Sequence, residues 1–195
     1  MGASYFTNPL VFLIKTLLGI YATLLVLRFL LQWARADFYN PISQFVVKMT
    51  SPVLQPVRRL VPSIKGMDTS SLLVAWIVKS IELLSIALLV GAGSLSWLAP
   101  LWAIPALLKL VLNIFLFAII IRVILSWVNP DPYNPAVSLL GRITDPLMLP
   151  AQRLVPPIGG IDLSPMVVMI VLVLLQMLLL PPLLALTGAP AALVV

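Results

Sequence analysis

The sequence predicts an all-α integral membrane protein of about four transmembrane helices. They form two parallel tandem repeats, with short amphipathic interfacial helices in the long loops. Three observations predict this. The 195 residues are 62% apolar and only 9% charged, with mean hydropathy +1.15, where soluble domains carry roughly 25% charged residues. Four apolar stretches are each long enough to cross a bilayer, for which about 20 helical residues suffice. Finally, the chain repeats itself at an offset of 94 residues, with 17 identities in 41 positions between residues 28–68 and 122–162. Most of these identities are polar, Gly, Pro or aromatic, so shared hydrophobicity does not explain them.

The first stretch, Pro9 to Trp33, carries Lys15 and Arg28 and has no small-residue cleavage site. It reads as a retained membrane segment, or at most a signal anchor, and not as a cleaved leader. The others run from Leu72 to Leu95, Leu101 to Trp127 and Met166 to Leu184. Pro181 and Pro182 predict a kink or early stop near the end of the fourth. Residues 1–98 and 99–195 are the two repeats. An even number of crossings puts both long connections on one side and both termini on the other. Arg35, Lys48, Arg58, Arg59, Lys65, Arg142 and Arg153 all lie in those connections, so the positive-inside rule places them in the cytoplasm and the termini in the periplasm.

The long connections have an amphipathic pattern. Phe45, Val46 and Met49, then Val53, Leu54 and Val57, mark one apolar set, and Leu139, Leu140, Ile143, Leu147 and Met148 mark the other. Prolines are expected to interrupt these helices, and an irregular Pro-rich loop over the headgroups is the alternative. Asn40-Pro41 and Asn134-Pro135 read as turn or helix-start elements, and Thr50-Ser51-Pro52 and Thr144-Asp145-Pro146 repeat that logic. Gly66 and Gly160 suit unusual backbone angles, and Asp68 and Asp162 suit caps of the returning helices.

The candidate functional residues are the charges inside the spans and the repeated polar groups of the loops. Arg28 and Arg122 each precede a Trp by five residues, about 7 to 8 Å deeper in the membrane. Either they snorkel to the headgroups, or they face inward to hold a carboxylate, a lipid phosphate or a partner protein. Glu82, about 15 Å into the second span, requires pairing, protonation or hydration. Lys79 is its nearest partner in sequence, Arg28 or Arg122 can reach it by helix packing, and a proton or cation relay is the sharper alternative. Gln176, the repeat equivalent of Glu82, suits an interhelical hydrogen bond, Glu82 being one available partner, or a matched polar lining. Lys15 and Lys109 read as snorkelling residues, with a pore lining as the alternative. Arg59, Arg153, Asn40 and Asn134 complete the set as repeated interfacial positions.

Absences narrow the chemistry. Without cysteine there is no disulfide or thiolate chemistry, and without histidine the commonest general base and metal ligand is missing. The aspartates have no recognised metal spacing, and no nucleophile sits beside a base. The sequence therefore predicts neither an enzyme nor a cofactor. A net charge of +6 points to anionic phospholipid and not nucleic acid, since no nucleic-acid module is present.

The paired segments RFLLQW with YNPISQF, RVILSW with YNPAVSLL, and RRLVPSIKGMD with QRLVPPIGGID resemble the bacterial YggT family, also called YlmG-like and related to a chloroplast family. The resemblance covers nearly the whole chain. It implies an integral membrane protein with links to osmotic stress tolerance and ion uptake, to division or nucleoid organisation, and to cytochrome-complex maturation. Lacking His and Cys, this chain does not fit direct haem ligation or thiol-based maturation. The expectation is a non-enzymatic inner-membrane scaffold or assembly factor tied to envelope organisation or osmotic stress. Its expected partners are anionic phospholipids, membrane or cytoplasmic proteins and further copies of itself. A small osmotically responsive ion channel or transport component is the rival.

Overall fold

The computed structural model describes residues 2–61, 68–91, 95–128, 131, 134–155 and 162–194, apart from the side chains of residues 2–5 and 60. Among them the only regular structure is helical, with no strand. Helix α1 spans Gly2–Trp33, α2 Pro41–Leu60, α3 Thr69–Leu89, α4 Ala99–Val128, α5 Pro135–Leu154, α6 Ser164–Thr187 and the short α7 Ala191–Val194; a 3-10 turn, Ser96–Leu98, leads into α4. Four helical segments, Phe6–Trp33, Thr69–Leu89, Ser96–Val128 and Ser164–Thr187, are long and apolar enough to cross a membrane. They make the chain a multi-pass membrane protein of the predicted class. The turns at Gly66 and Gly160 lie outside the described residues.

The spans pack with polar contacts at matched heights. Arg28 near the end of α1 reaches Asp68 at the start of α3, while Gly19 lies against Glu82 further along α3. The two helices are therefore antiparallel. One apolar core joins both repeats, with Ala22, Leu25 and Val26 of α1 meeting Val74 and Val78 of α3, Leu112, Phe115 and Ile119 of α4, and Leu172 of α6. Trp33 sets its ring edge-on to Phe115, centroids 6.1 Å apart, so an aromatic expected at the headgroups also ties the first repeat to the second. At the other end Leu83, Ala87, Trp102, Ala103 and Ala106 form a separate cluster with Ala189, and Leu193 and Val194 of α7 pack against it.

Both long connections contain a helix of 20 residues, offset by the same 94 positions as the sequence repeat. Asn40 starts α2 by accepting from the Ile42 amide at 2.9 Å, and Asn134 starts α5 through Ala136 at 2.9 Å. Each helix then continues through two prolines, Pro52 and Pro56 or Pro146 and Pro150, which corrects the expected interruption. The physical reason is placement. Pro52 and Pro56 are exposed and one turn apart, so the carbonyls that they deprive of a donor, those of Lys48 and Pro52, lie together on an outward side. Helix α6 likewise passes through Pro181 and Pro182 and ends only at Gly188, whose φ of 63° suits a residue without Cβ.

At about 100° per residue, α2 has three faces and not the single apolar one expected. Ser43, Val46, Thr50 and Leu54 are buried against the spans. Ile42, Phe45, Met49 and Val53 form a second apolar stripe that is exposed. Gln44, Lys48, Gln55 and Arg59 occupy the polar side. A helix with one face on protein, one apolar face outward and one basic side suits the membrane surface.

Candidate functional site

Two polar layers, separated by the apolar core, contain most of the candidate residues. In the inner layer Arg28 is buried and its Nη1 donates to Thr50 Oγ1 at 2.6 Å, to Ser51 Oγ at 3.1 Å and to the Val47 carbonyl at 3.1 Å. Thr50 and Ser51 in turn donate to Val46 O and Val47 O, each at 2.6 Å. These residues are mid-helix back-bonded hydroxyls and not the helix start read from sequence. Arg28 Nε lies 3.5 Å from Asp68 Oδ2, which also accepts from Arg58 Nη2 and from Ser71 Oγ at 2.8 Å. The predicted cap is present, since Asp68 Oδ1 accepts from the Ser71 amide at 3.3 Å. Span, loop helix and returning helix are thus fastened at one carboxylate.

The second repeat rebuilds this with the charges redistributed. Arg122 Nη1 donates to Thr144 Oγ1 at 2.6 Å and to Asp145 Oδ1 at 2.7 Å. Gln152 stands where the first repeat has Arg58, and its Nε2 donates to Asp162 Oδ2 at 2.9 Å. Asp162 Oδ1 accepts from the Ser164 amide at 2.9 Å, although the residue next to the helix is Leu163. The inner arginines therefore face the protein, the inward of the two sequence readings, and hold its own loop helices. Burial acts to raise both carboxyls, but hydrogen bonds outweigh it and both sit below the usual range. For Asp68 these come from Arg58 and Ser71, with both arginines adding their charge; for Asp162 they come from Ser164 and Gln152, with the charge of Arg122 adding.

The outer layer lies further along the same spans. Lys15 is 13 residues from Arg28 on α1 and Glu82 is 14 from Asp68 on α3, a rise of about 20 Å in each case. Glu82 lies about 20 Å along α3, further than the sequence estimate, because α3 starts at Thr69 and not at Leu72. Glu82 is buried and accepts from Lys79 Nζ at 2.7 and 2.9 Å, which selects Lys79 from the three cations that the sequence left open. Lys15 and Lys109 converge with this pair along two adjoining cavities of about 430 and 170 Å³. Gln176 does not meet Glu82, and its Nε2 donates to Asn113 Oδ1 at 2.9 Å. The repeat explains why: Asn113 is equivalent to Gly19, which gives Glu82 room in the first half, whereas the second half fills that place with a hydrogen-bonding side chain.

Arg59 and Arg153 are exposed on the outward sides of α2 and α5. Asn40 does more than cap, since its Nδ2 donates to the Pro135 carbonyl at 2.7 Å and couples the starts of the two loop helices. Sequence reading did not assign Arg58, Asp145 or Asn113 a partner. The repeat alignment held a signal for two of them, because Ser51 and Arg58 of the first half become Asp145 and Gln152 in the second, a cation at one position traded for an anion at the other. No group of His, Cys, Asp or Glu among the described residues is arranged to hold a metal.

Fold and site define a class: a four-span membrane protein of two tandem halves, each clamping an interfacial helix to its first span by a buried or half-buried arginine. The chain belongs to the CCB3/YggT family, whose profile matches residues 7–89 and 101–183, two segments offset by the same 94 positions. It is 42% identical over 182 residues to an uncharacterised protein of Pseudomonas aeruginosa, covering 92% of both chains. It is 39% identical over 170 residues to the uncharacterised YggT protein of Escherichia coli K12, covering 87% of this chain and 88% of that one. A 62-residue stretch is 42% identical to the uncharacterised ycf19 protein of Guillardia theta and covers 68% of it. No solved structure matches.

Proposed function

We propose that the protein is a non-enzymatic scaffold or assembly factor of the bacterial inner membrane, with its long loops cytoplasmic and its termini periplasmic. The observation that carries this reading is the use made of Arg28 and Arg122. Both are engaged inside the protein, holding α2 and α5 in place. What remains outward on α2 is the stripe Phe45, Met49 and Val53 beside Lys48 and Arg59, a surface of the kind that contacts anionic lipid or a partner protein. A link to envelope organisation or osmotic stress tolerance belongs to the same reading and rests on family likeness. Quantitative co-purification from membranes, comparing the intact chain with Phe45→Gln/Met49→Gln, is the test. A specific lipid or protein lost from the variant is expected. An unchanged partner set, together with ion flux by the purified protein, would overturn it.

The rival, an ion channel or transport component, draws on the convergence of Lys15, Lys79, Glu82 and Lys109. Against a path through one chain stands the apolar packing between the layers, where Leu25, Val26, Val74 and Ile119 are at most 3% exposed. Flux into liposomes under an ion gradient, abolished by Glu82→Gln, would restore that rival.

A further inference from the structure

The two inner sites are built on equivalent positions and differ in what meets the returning helix's carboxylate. In the first repeat the side chain of Arg58 lies on Asp68. The first repeat thus supplies its own guanidinium, and the Asp68 side chain is 4% exposed. In the second repeat the equivalent residue is Gln152, neutral and shorter, and Asp162 is exposed. A cavity of about 560 Å³ opens there, lined by Arg122, Trp127, Gln152 and Asp162 with Val123 and Met148 among the apolar walls. The charge balance differs in the same sense. Arg28, Arg58 and Asp68 sum to one positive charge; in the second repeat Arg122 is neutralised by Asp145, which lies outside the cavity lining, and Asp162 is left without a cation of its own at the position of Arg58.

We propose that the second-repeat cavity receives a basic side chain from a partner protein, its guanidinium or ammonium seated between Asp162 and the Trp127 ring as Arg58 is seated on Asp68. Three features fit such an occupant. The carboxylate supplies a charge-assisted acceptor. The indole is 83% exposed at the cavity, where it can take a cation on its face. The volume exceeds that of one side chain, leaving room for the stem along Val123 and Met148. This inference rests on the scaffold reading, for which it names the partner's chemistry. The site differs from the Phe45–Met49 stripe, so the two fail separately.

The test uses the purified full-length protein and a capped Leu-Arg-Leu peptide, with the same peptide carrying citrulline, isosteric and neutral, as control. The arginine peptide is expected to raise the thermal unfolding midpoint and to bind roughly tenfold or more tightly than the citrulline peptide, as loss of one charged contact implies. Gln152→Arg places a guanidinium in the cavity in cis. It is expected to raise the midpoint without peptide and to abolish the peptide's effect, while Asp162→Asn abolishes binding without that gain. No binding, equal binding of the two peptides, or binding that survives both substitutions overturns the proposal. So does an ethanolamine phospholipid that co-purifies with the wild type and not with Gln152→Arg, since a headgroup would then be the occupant. A partner that depends on Phe45 and Met49 but not on Asp162 leaves the scaffold reading standing and removes this one.

Discussion

Asp68 and Asp145 perform related tasks at different cost. The Arg28 and Asp68 side chains are 6% and 4% exposed, and those of Arg122 and Asp145 are 31% and 38% exposed. Stranding a buried charge costs about 3–5 kcal/mol, whereas an exposed pair contributes roughly 0–1 kcal/mol. Asp68→Ala is therefore expected to destabilise the detergent-solubilised protein by about 3–5 kcal/mol and Asp145→Ala by about 1 kcal/mol or less, read from thermal unfolding. The folded-state pKa of Asp68 is lowered from its ordinary 3.8. Its contribution is thus fully present above that value and declines as pH falls through the lower folded one. Wild-type stability should fall across that acid window, and Asp68→Asn should flatten the fall; a parallel curve for the variant would count against this ion pair.

The loop helices show how an element takes its place. Neither can be held to the spans by apolarity alone within lipid, because acyl chains solvate leucine as well as protein does. The directional contacts of Arg28 with Thr50 and of Arg122 with Thr144 supply what apolar packing does not. The same contacts fix rotation, turning Val46 and Leu54 inward and leaving Phe45 and Met49 outside. The cysteine-free sequence makes this measurable. A fluorophore on Phe45→Cys is expected to be quenched by a lipid-embedded quencher, and one on Lys48→Cys by an aqueous quencher. Equal aqueous quenching at both positions would place the stripe in water and not in lipid. Proline placement belongs to this scale too: Pro52 and Pro56 are tolerated because they share the exposed side.

For the whole molecule, the parity of the spans sets which surfaces share a compartment. Arg59→Cys and Gly188→Cys should be labelled by an impermeant thiol reagent from opposite faces of oriented vesicles, Arg59→Cys from the cytoplasmic one. Labelling of both from one face would contradict four crossings. The shared core of α1, α3 and α4 also makes the halves interdependent, so neither repeat is expected to yield a stable helical hairpin when expressed alone.

The sequence by itself determined the span number and the tandem unit, and it offered Asn40 and Asn134 as turns or helix starts and Lys79 as one of three cations within reach of Glu82. These rest on local quantities: hydropathy over a window, capping chemistry, spacing along one helix and self-similarity. Proline, read locally, gave the wrong result for α2 and an early stop that α6 does not make, since its cost depends on which side of the helix loses its donor. Only the tertiary structure decided that the arginines hold loop helices, that Gln176 meets Asn113, and that Lys15 and Lys109 converge on Glu82. Each of these depends on which helix is the neighbour and how it is rotated. Where lipid is the solvent, hydropathy is nearly indifferent to that choice, and a few directional polar contacts make it.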